Sequence, residues 1–185
     1  EPCKNLFSDE KLLISIAAGV PAGVYKNILG KNSRIIRTMP NTPALVGEGM
    51  TLISYDVNTR KEDIEKAKML FECVGKVELL EEKLMNEVVA LTSSSPAYVF
   101  MFIEAMADAA VQTGIPRGLA YRLAAQAVLG SAKMVLETGK HPAELKDMVC
   151  SPAGTTIEAV NALEKNGFRF AVMDAMAECT KKARE

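Results

Sequence analysis

The sequence contains no tryptophan and a single histidine among its 185 residues, so a metal centre built from several imidazoles is excluded. Its four cysteines, Cys3, Cys73, Cys150 and Cys179, stand far apart without a C-x-x-C pair, which removes zinc ribbons and thioredoxin-like redox motifs. Scattered in this way they read as reduced, structural thiols. No histidine partner singles one out as a nucleophile. The net charge is −1, so no field draws the chain to nucleic acid or to an anionic membrane. No apolar run reaches the ~18 residues of a membrane span, and no signal peptide opens the chain. Neither a P-loop nor a G-x-G-x-x-G turn between strand and helix is present. The first residue is Glu1 rather than methionine, and "EPCKNLFSDE" reads like the interior of a longer protein.

The first half alternates between strand and helix patterns. Residues 12–16 form a short β run that ends in small residues, where backbone can approach another group closely. Pro21 starts a helix over 22–29, stopped by Gly30. "RIIRTMP" is a second strand and residues 50–56 are a third. A helix over 61–73 follows, with Ile64, Ala67, Lys68 and Phe71 on one face and charges opposite. "KVELL" is a fourth strand. This alternation predicts a parallel, doubly wound sheet.

Near Glu81 the pattern becomes helical to the end. Ser95 is expected to cap a helix with Pro96 at its first position. Its polar residues Glu104, Asp108 and Gln112 form one narrow stripe: an interface or solvated edge, or carboxylates placed for acid–base work. The next helix, over 119–137, has only the thin strip of Arg122, Gln126 and Lys133. Helices apolar almost all round must be covered almost all round. A module of this size cannot enclose two of them alone, and each large apolar side chain left in water forfeits ~1.5–3 kcal/mol. A homodimer with intertwined helical parts is therefore expected.

Three polar turns could carry chemistry. In "DMVCSPAGTTIEAV" a helix ends near Cys150, a Ser-Pro-Ala-Gly turn follows, and Thr155 and Glu158 have the spacing of a capping box at a new helix. Free N–H groups at such a start suit a carboxylate or phosphate; the same spacing also fits a helix that is merely well capped. "LTSSSPAYVF" puts three hydroxyls before a helix. "RTMPNTPALVGEG" leaves the C-terminal end of a strand, the edge where open α/β sheets bind ligands. His141, before Pro142, reads as a helix-entry residue.

In this order, "RTMPNTP", "SSSPAYVF", "GIPRGLAYRLAAQAVLGSAKM" and "HPAELKDMVCSPAGTTIEAVNALE" resemble the pyrroline-5-carboxylate reductase family, over essentially the whole sequence. The resemblance implies an α/β plus all-α architecture: part of a Rossmann-like domain over 1–80, then an all-helical dimerisation and substrate domain over 81–185. It implies reduction of 1-pyrroline-5-carboxylate to L-proline with NADPH or NADH by homodimers that assemble further into rings; the scattered reduced thiols add the expectation of a cytoplasmic protein. It also implies an N-terminal Gly-rich βαβ unit that this sequence lacks, and hence a chain weakly active on its own. By the same resemblance Thr156 is the catalytic threonine near the imine nitrogen. Backbone N–H groups of Gly154, Thr155 and Thr156 hold the substrate carboxylate, Ser94 and Ser95 line the pocket, and Val149 forms a wall. Ala17, Ala18 and Gly19, with Met39, Pro40 and Asn41, meet the nicotinamide end of NADP or NAD. No metal is implied. The serines depart from the glycines many members carry in that loop.

Two other readings stand beside it. A β-hydroxyacid-type reductase would place a lysine on its long helix, and 96–112 contains none. A non-catalytic dimerising remnant would bind neither proline nor the cofactor.

Overall fold

A computed structural model describes Phe7 and residues 10–55 and 59–185; Cys3 lies outside them. The chain divides into two compact units, one comprising Glu1–Pro96 with Met176–Glu185, the other Ala97–Ala175.

The first unit is built on β1 (Leu12–Ser15), α1 (Ala22–Leu29), β2 (Arg34–Met39), β3 (Gly49–Tyr55), α2 (Lys61–Glu72) and β4 (Gly75–Glu81). The strands lie in the order β1-β2-β3-β4. Ile36 of β2, Ile53 of β3 and Ala67 of α2 are fully buried and form the core, flanked by Leu12, Ile14, Ile64, Phe71 and Val77. The positions 64, 67 and 71 recur at helical spacing, so α2 lays one stripe on the sheet and leaves its charges in water. Asp63, in the first turn of α2, is buried and ion-paired with Arg34 at the start of β2. Arg34 Nε donates to Asp63 Oδ2 at 2.9 Å, and Arg34 Nη1 donates to the Glu10 carbonyl at 2.8 Å. The donating guanidinium holds the Asp63 carboxyl below its usual range, against the opposing effect of burial.

The sheet is not wholly parallel. β1–β2 and β3–β4 are parallel, but β2 and β3 run antiparallel, pairing Thr38 with Ile53 and Met39 with Leu52. The cause is the link between them. A parallel return needs a crossover of a dozen or more residues, whereas only 40–48 lie here, folded as a 3-10 turn over Thr42–Val46. β3 and β4 then enter side by side at Gly49 and Gly75. A Cβ on Gly75 would lie 2.0 Å from the Gly49 carbonyl oxygen, so the backbones meet where no side chain fits.

After β4 the chain makes a π-helical turn, Val89–Ser93, that runs into α3 (Ser95–Gln112). Ser95 therefore does not cap a free helix end; its hydroxyl donates back to the Leu91 carbonyl at 2.6 Å. Pro96 brings no N–H to the carbonyl four residues earlier, and the helix reaches it through a wider turn, with Ser94 N donating to Val89 O at 3.0 Å. The C-terminal end of the chain joins this unit. Cys179 Sγ donates to Ser94 Oγ at 3.2 Å, and Arg184 pairs with Glu87, holding that carboxyl below its usual range.

The second unit is helical: the remainder of α3, then α4 (Arg117–Thr138), α5 (Pro142–Val149), α6 (Thr155–Lys165) and the start of α7 (Phe168–Ala183). His141 enters α5 as its cap, its Nδ1 accepting from Ala143 N at 3.2 Å. Asp108 is engaged by Arg117, and Phe102 meets Phe168 with ring centroids 6.0 Å apart. The buried apolar residues described in this unit are all alanines, Ala107, Ala120 and Ala124. By length and composition the helix Val89–Gln112 reaches what a membrane span requires, an 18-residue stretch of it having a mean hydropathy of 1.2. The sequence shows no uninterrupted apolar run there because Glu104 and Asp108 fall within it.

Candidate functional site

Parallel pairing sets Ser15 of β1 beside Arg37 of β2, so the C-terminal ends of the two strands open on the same edge of the sheet. Chain leaving parallel strands at that edge makes the crevice in which α/β sheets take ligands. Two segments leave there. Residues 16–19 turn away from β1, and 39–40 leave β2.

The first turn is fixed by a serine. Ser15 is buried, and its hydroxyl shares a hydrogen bond with the Tyr25 hydroxyl at 2.6 Å and accepts from Ala17 N at 3.2 Å. The second is fixed by Asn41. Its Oδ1 accepts from Met50 N at 2.9 Å, and its Nδ2 donates to the Thr92 carbonyl at 3.0 Å. That carbonyl is the one Pro96, lacking an N–H, cannot reach. One amide thus ties the loop after β2, the start of β3 and the π-helical turn together.

These constraints enclose a cavity of about 170 Å³. It is lined by Ile16, Ala17, Ala18 and Gly19 from the exit of β1, by Arg37, Thr38, Met39 and Pro40 from the end of β2, and by Val89 and Ser93 of the π-helical turn. The wall is mostly apolar, and its polar members are mostly occupied. Arg37 is buried, donates to Asn86 Oδ1 at 3.3 Å and lies 3.7 Å from Glu82 Oε1. That same oxygen accepts from Ala22 N at 2.7 Å, at the head of α1. Thr38 donates to the Ser15 carbonyl at 3.1 Å.

Five of the six residues expected at a nicotinamide are brought together here: Ala17, Ala18, Gly19, Met39 and Pro40. Asn41 is not part of the wall; its amide holds the wall in position. Ser94 and Ser95, expected at a substrate, lie in the same unit, but their hydroxyls are engaged with Cys179 and with the Leu91 carbonyl. Ile16, Arg37, Thr38, Val89 and Ser93 were not foreseen. Ser93 carried a signal, since it opens the serine run, but only the π-helical turn selects it from its neighbours.

The turn between α5 and α6 belongs to the second unit. Gly154 N donates to the Ser151 carbonyl at 3.0 Å, and Ala153 adopts φ 55°. A Cβ on Gly154 would lie 2.3 Å from Ser151 Oγ, so glycine is what lets the turn close. α6 begins at Thr155 with Gly154 as its cap and no side-chain cap hydrogen bond. The expected capping box between Thr155 and Glu158 therefore does not form, because the helix starts one residue too early for Thr155 to cap it. The consequence favours a ligand. The first N–H groups of α6 are left without a side-chain acceptor, at the positive end of the helix. Thr156 is half-buried beside them, and Val149, last residue of α5, is exposed.

Residues 82–185 match the family described as pyrroline-5-carboxylate reductase dimerisation. The chain is 56% identical over 174 residues to the pyrroline-5-carboxylate reductase of Escherichia coli (strain K12), an alignment covering 94% of this chain and 65% of that protein. It is 48% identical over 182 residues to that of Methanosarcina acetivorans, covering 98% and 67%. Among solved structures, a pyrroline-5-carboxylate reductase from Coxiella burnetii superposes with a TM-score of 0.92 at 36% identity, covering 99% of this chain and 68% of that one. Pyrroline carboxylate reductase of Plasmodium falciparum, solved with NADP bound, gives 0.86 at 36% identity, covering 94% and 70%. The chain thus spans 65% of the length of its Escherichia coli relative.

Proposed function

Since the chain belongs to the pyrroline-5-carboxylate reductase family, we propose that it supplies the nicotinamide pocket, the substrate turn and the dimer surface of an NAD(P)H-dependent reductase that makes L-proline from 1-pyrroline-5-carboxylate, the last step of proline biosynthesis. The observation that carries this reading is the cavity at the ends of β1 and β2. A nicotinamide ring is flat and largely apolar, and the small side chains of 17–19 with Met39 and Pro40 fit it. The NADP-bound Plasmodium falciparum relative supports a dinucleotide of that kind, NADP or NAD. When bound, the reduced ring supplies the hydride for the imine carbon.

The chain's own residues bind and orient. The first N–H groups of α6, those of Thr155 and Thr156, hold the substrate carboxylate at the helix start; that of Gly154, expected beside them, is spent on the Ser151 carbonyl. Thr156 directs its hydroxyl to the ring nitrogen, and Val149 excludes water from one side. A protonated imine is already electrophilic, so positioning is sufficient and no strong acid is needed. In this reading residues 1–80 serve the cofactor and 81–185 serve substrate and dimerisation. The exposed apolar helices meet a second copy rather than a membrane. Rings of dimers, and a cytoplasmic setting, complete the proposal. The sequence contains no Gly-rich phosphate turn, so grip on the pyrophosphate falls to the part of the relatives' length that this chain does not span.

Thr156→Ala tests the substrate half. In a form extended by the relatives' remaining third, turnover is expected to fall on the order of 10²-fold, with the dimer unchanged in sedimentation. Unchanged steady-state turnover would remove Thr156 from the site. A chain that dimerises yet shows no binding of proline or NADPH would be the non-catalytic remnant instead.

A further inference from the structure

Of the three adjacent serines, the one that lines the cavity is not one of the two that the family resemblance selects. Ser94 and Ser95 spend their hydroxyls on Cys179 and on the Leu91 carbonyl. Ser93 forms part of the cavity wall. Its Oγ is shut off from solvent and has no hydrogen-bond partner, the sole such buried side-chain atom among the described residues. A buried hydroxyl left unpaired is unfavourable, and such an atom in a native site calls for an occupant that completes it. The π-helical turn is what puts it there: with α-helical winding through 89–93, the residue at this point of the wall would differ. Single π turns of this kind recur at functional sites.

The surroundings limit the occupant's chemistry. Arg37 is neutralised by Glu82, so the cavity offers no spare positive charge to a carboxylate or phosphate. Thr38 is satisfied by the Ser15 carbonyl. What is left is one hydroxyl, able both to donate and to accept, in a mostly apolar wall. That combination matches a neutral group with both functions on a flat ring. We propose that Ser93 Oγ hydrogen-bonds the carboxamide of the nicotinamide and so fixes which way the ring faces, a positioning role. This rests on the reading of the cavity as the nicotinamide pocket.

The test uses the 185-residue chain, with Ser93→Ala and Ser93→Gly, and two readouts. Without ligand, Ser93→Ala is expected to raise the thermal midpoint by about 2–4 °C, because it deletes an unpaired buried hydroxyl. In NMR titrations followed at the amides of 16–19 and 39, both variants are expected to bind nicotinamide mononucleotide roughly tenfold more weakly. With L-proline, the amides of 155 and 156 should shift in both variants as they do in the wild type. A merely structural serine would not move stability and affinity in opposite directions. If the wild type shifts those amides with nicotinamide mononucleotide and both variants bind it equally well, a water molecule satisfies Ser93 and the inference falls alone. If the mononucleotide leaves those amides of the wild type unmoved, the nicotinamide reading of the cavity falls and takes this inference with it.

Discussion

The two units solve the problem of burial in opposite ways. The first encloses large side chains within one chain: Ile36, Ile53 and Met85 are all 0% exposed, and α2 is latched to β2 through a buried ion pair. The second encloses alanines and leaves its bulk outside, with Met101 at 68% and Leu136 at 82% exposure. Both are built from ordinary apolar sequence. The difference is that a twisted sheet with a helix on it closes a core within a unit of about a hundred residues, while long helices apolar all round do not. The first unit is therefore legible as a folding unit by itself, and the second as half of something. The family match over 82–185, described as dimerisation, agrees.

The sharpest way to break this comparison is to charge the open face of the second unit. Phe100 and Leu123 are 61% and 53% exposed in the single chain. On a free surface, Phe100→Asp with Leu123→Asp would change stability by no more than about 0.5 kcal/mol per site. Beneath a second copy, each change leaves an uncompensated charge in a buried interface, a loss of about 3–5 kcal/mol per site. The double variant is expected to sediment as a monomer and to unfold at a temperature that no longer depends on protein concentration. A dimer that survives both changes would mean that this face is not the interface.

A second prediction tests the self-sufficiency of the first unit through acid. Asp63 titrates lower in the folded state than in the unfolded chain, because Arg34 donates to it. A carboxyl depressed in this way contributes stability that is fully present above its unfolded value, about 3.9. The contribution is lost as pH falls through the lower folded value. The protection of amides in β2 and α2, taken relative to intrinsic exchange at each pH, is expected to fall below about pH 4, and Asp63→Asn should flatten that acid arm. An acid arm of the same steepness in the variant would show that the latch is not what acid opens.

How far the sequence could be read follows the same divide. Each strand and helix of the first unit was legible because local rules set it: Pro21 and Gly30 bound α1, and the 64, 67, 71 stripe marks α2. The direction of β3 was not, since it depends on the link after Met39 being too short for a crossover. The cavity wall was legible at 17–19 and 39–40, where small residues and a proline follow strands. The place of Asn41 behind the wall was not legible, because its amide bonds to Thr92 and Met50, which are remote in sequence, and that pairing depends on a carbonyl vacated by Pro96. Ser93 was passed over for the same reason. Local capping rules favoured Ser95, and a π-helical turn is a tertiary compromise that hydroxyl spacing does not announce.

The smallest expected effect sharpens the contrast at the level of single dihedrals. In the first unit every described residue with positive φ is a glycine, whereas in the second Ala153 holds φ 55°. A Cβ in that region is unfavourable by roughly 1–2 kcal/mol, and glycine would return part of this through a more flexible unfolded chain. Ala153→Gly is thus expected to raise the denaturation midpoint by the equivalent of roughly 0.5–1 kcal/mol, and Ala153→Val to lower it, since a branched side chain is worse placed there. Binding should move the other way. The alanine narrows the conformations open to the turn and keeps the first N–H groups of α6 converged, so the glycine variant, though more stable, should hold proline less tightly in calorimetry. A glycine variant that loses stability would show that the turn is not strained. One that gains stability and proline affinity together would show that its strain serves no purpose at the site.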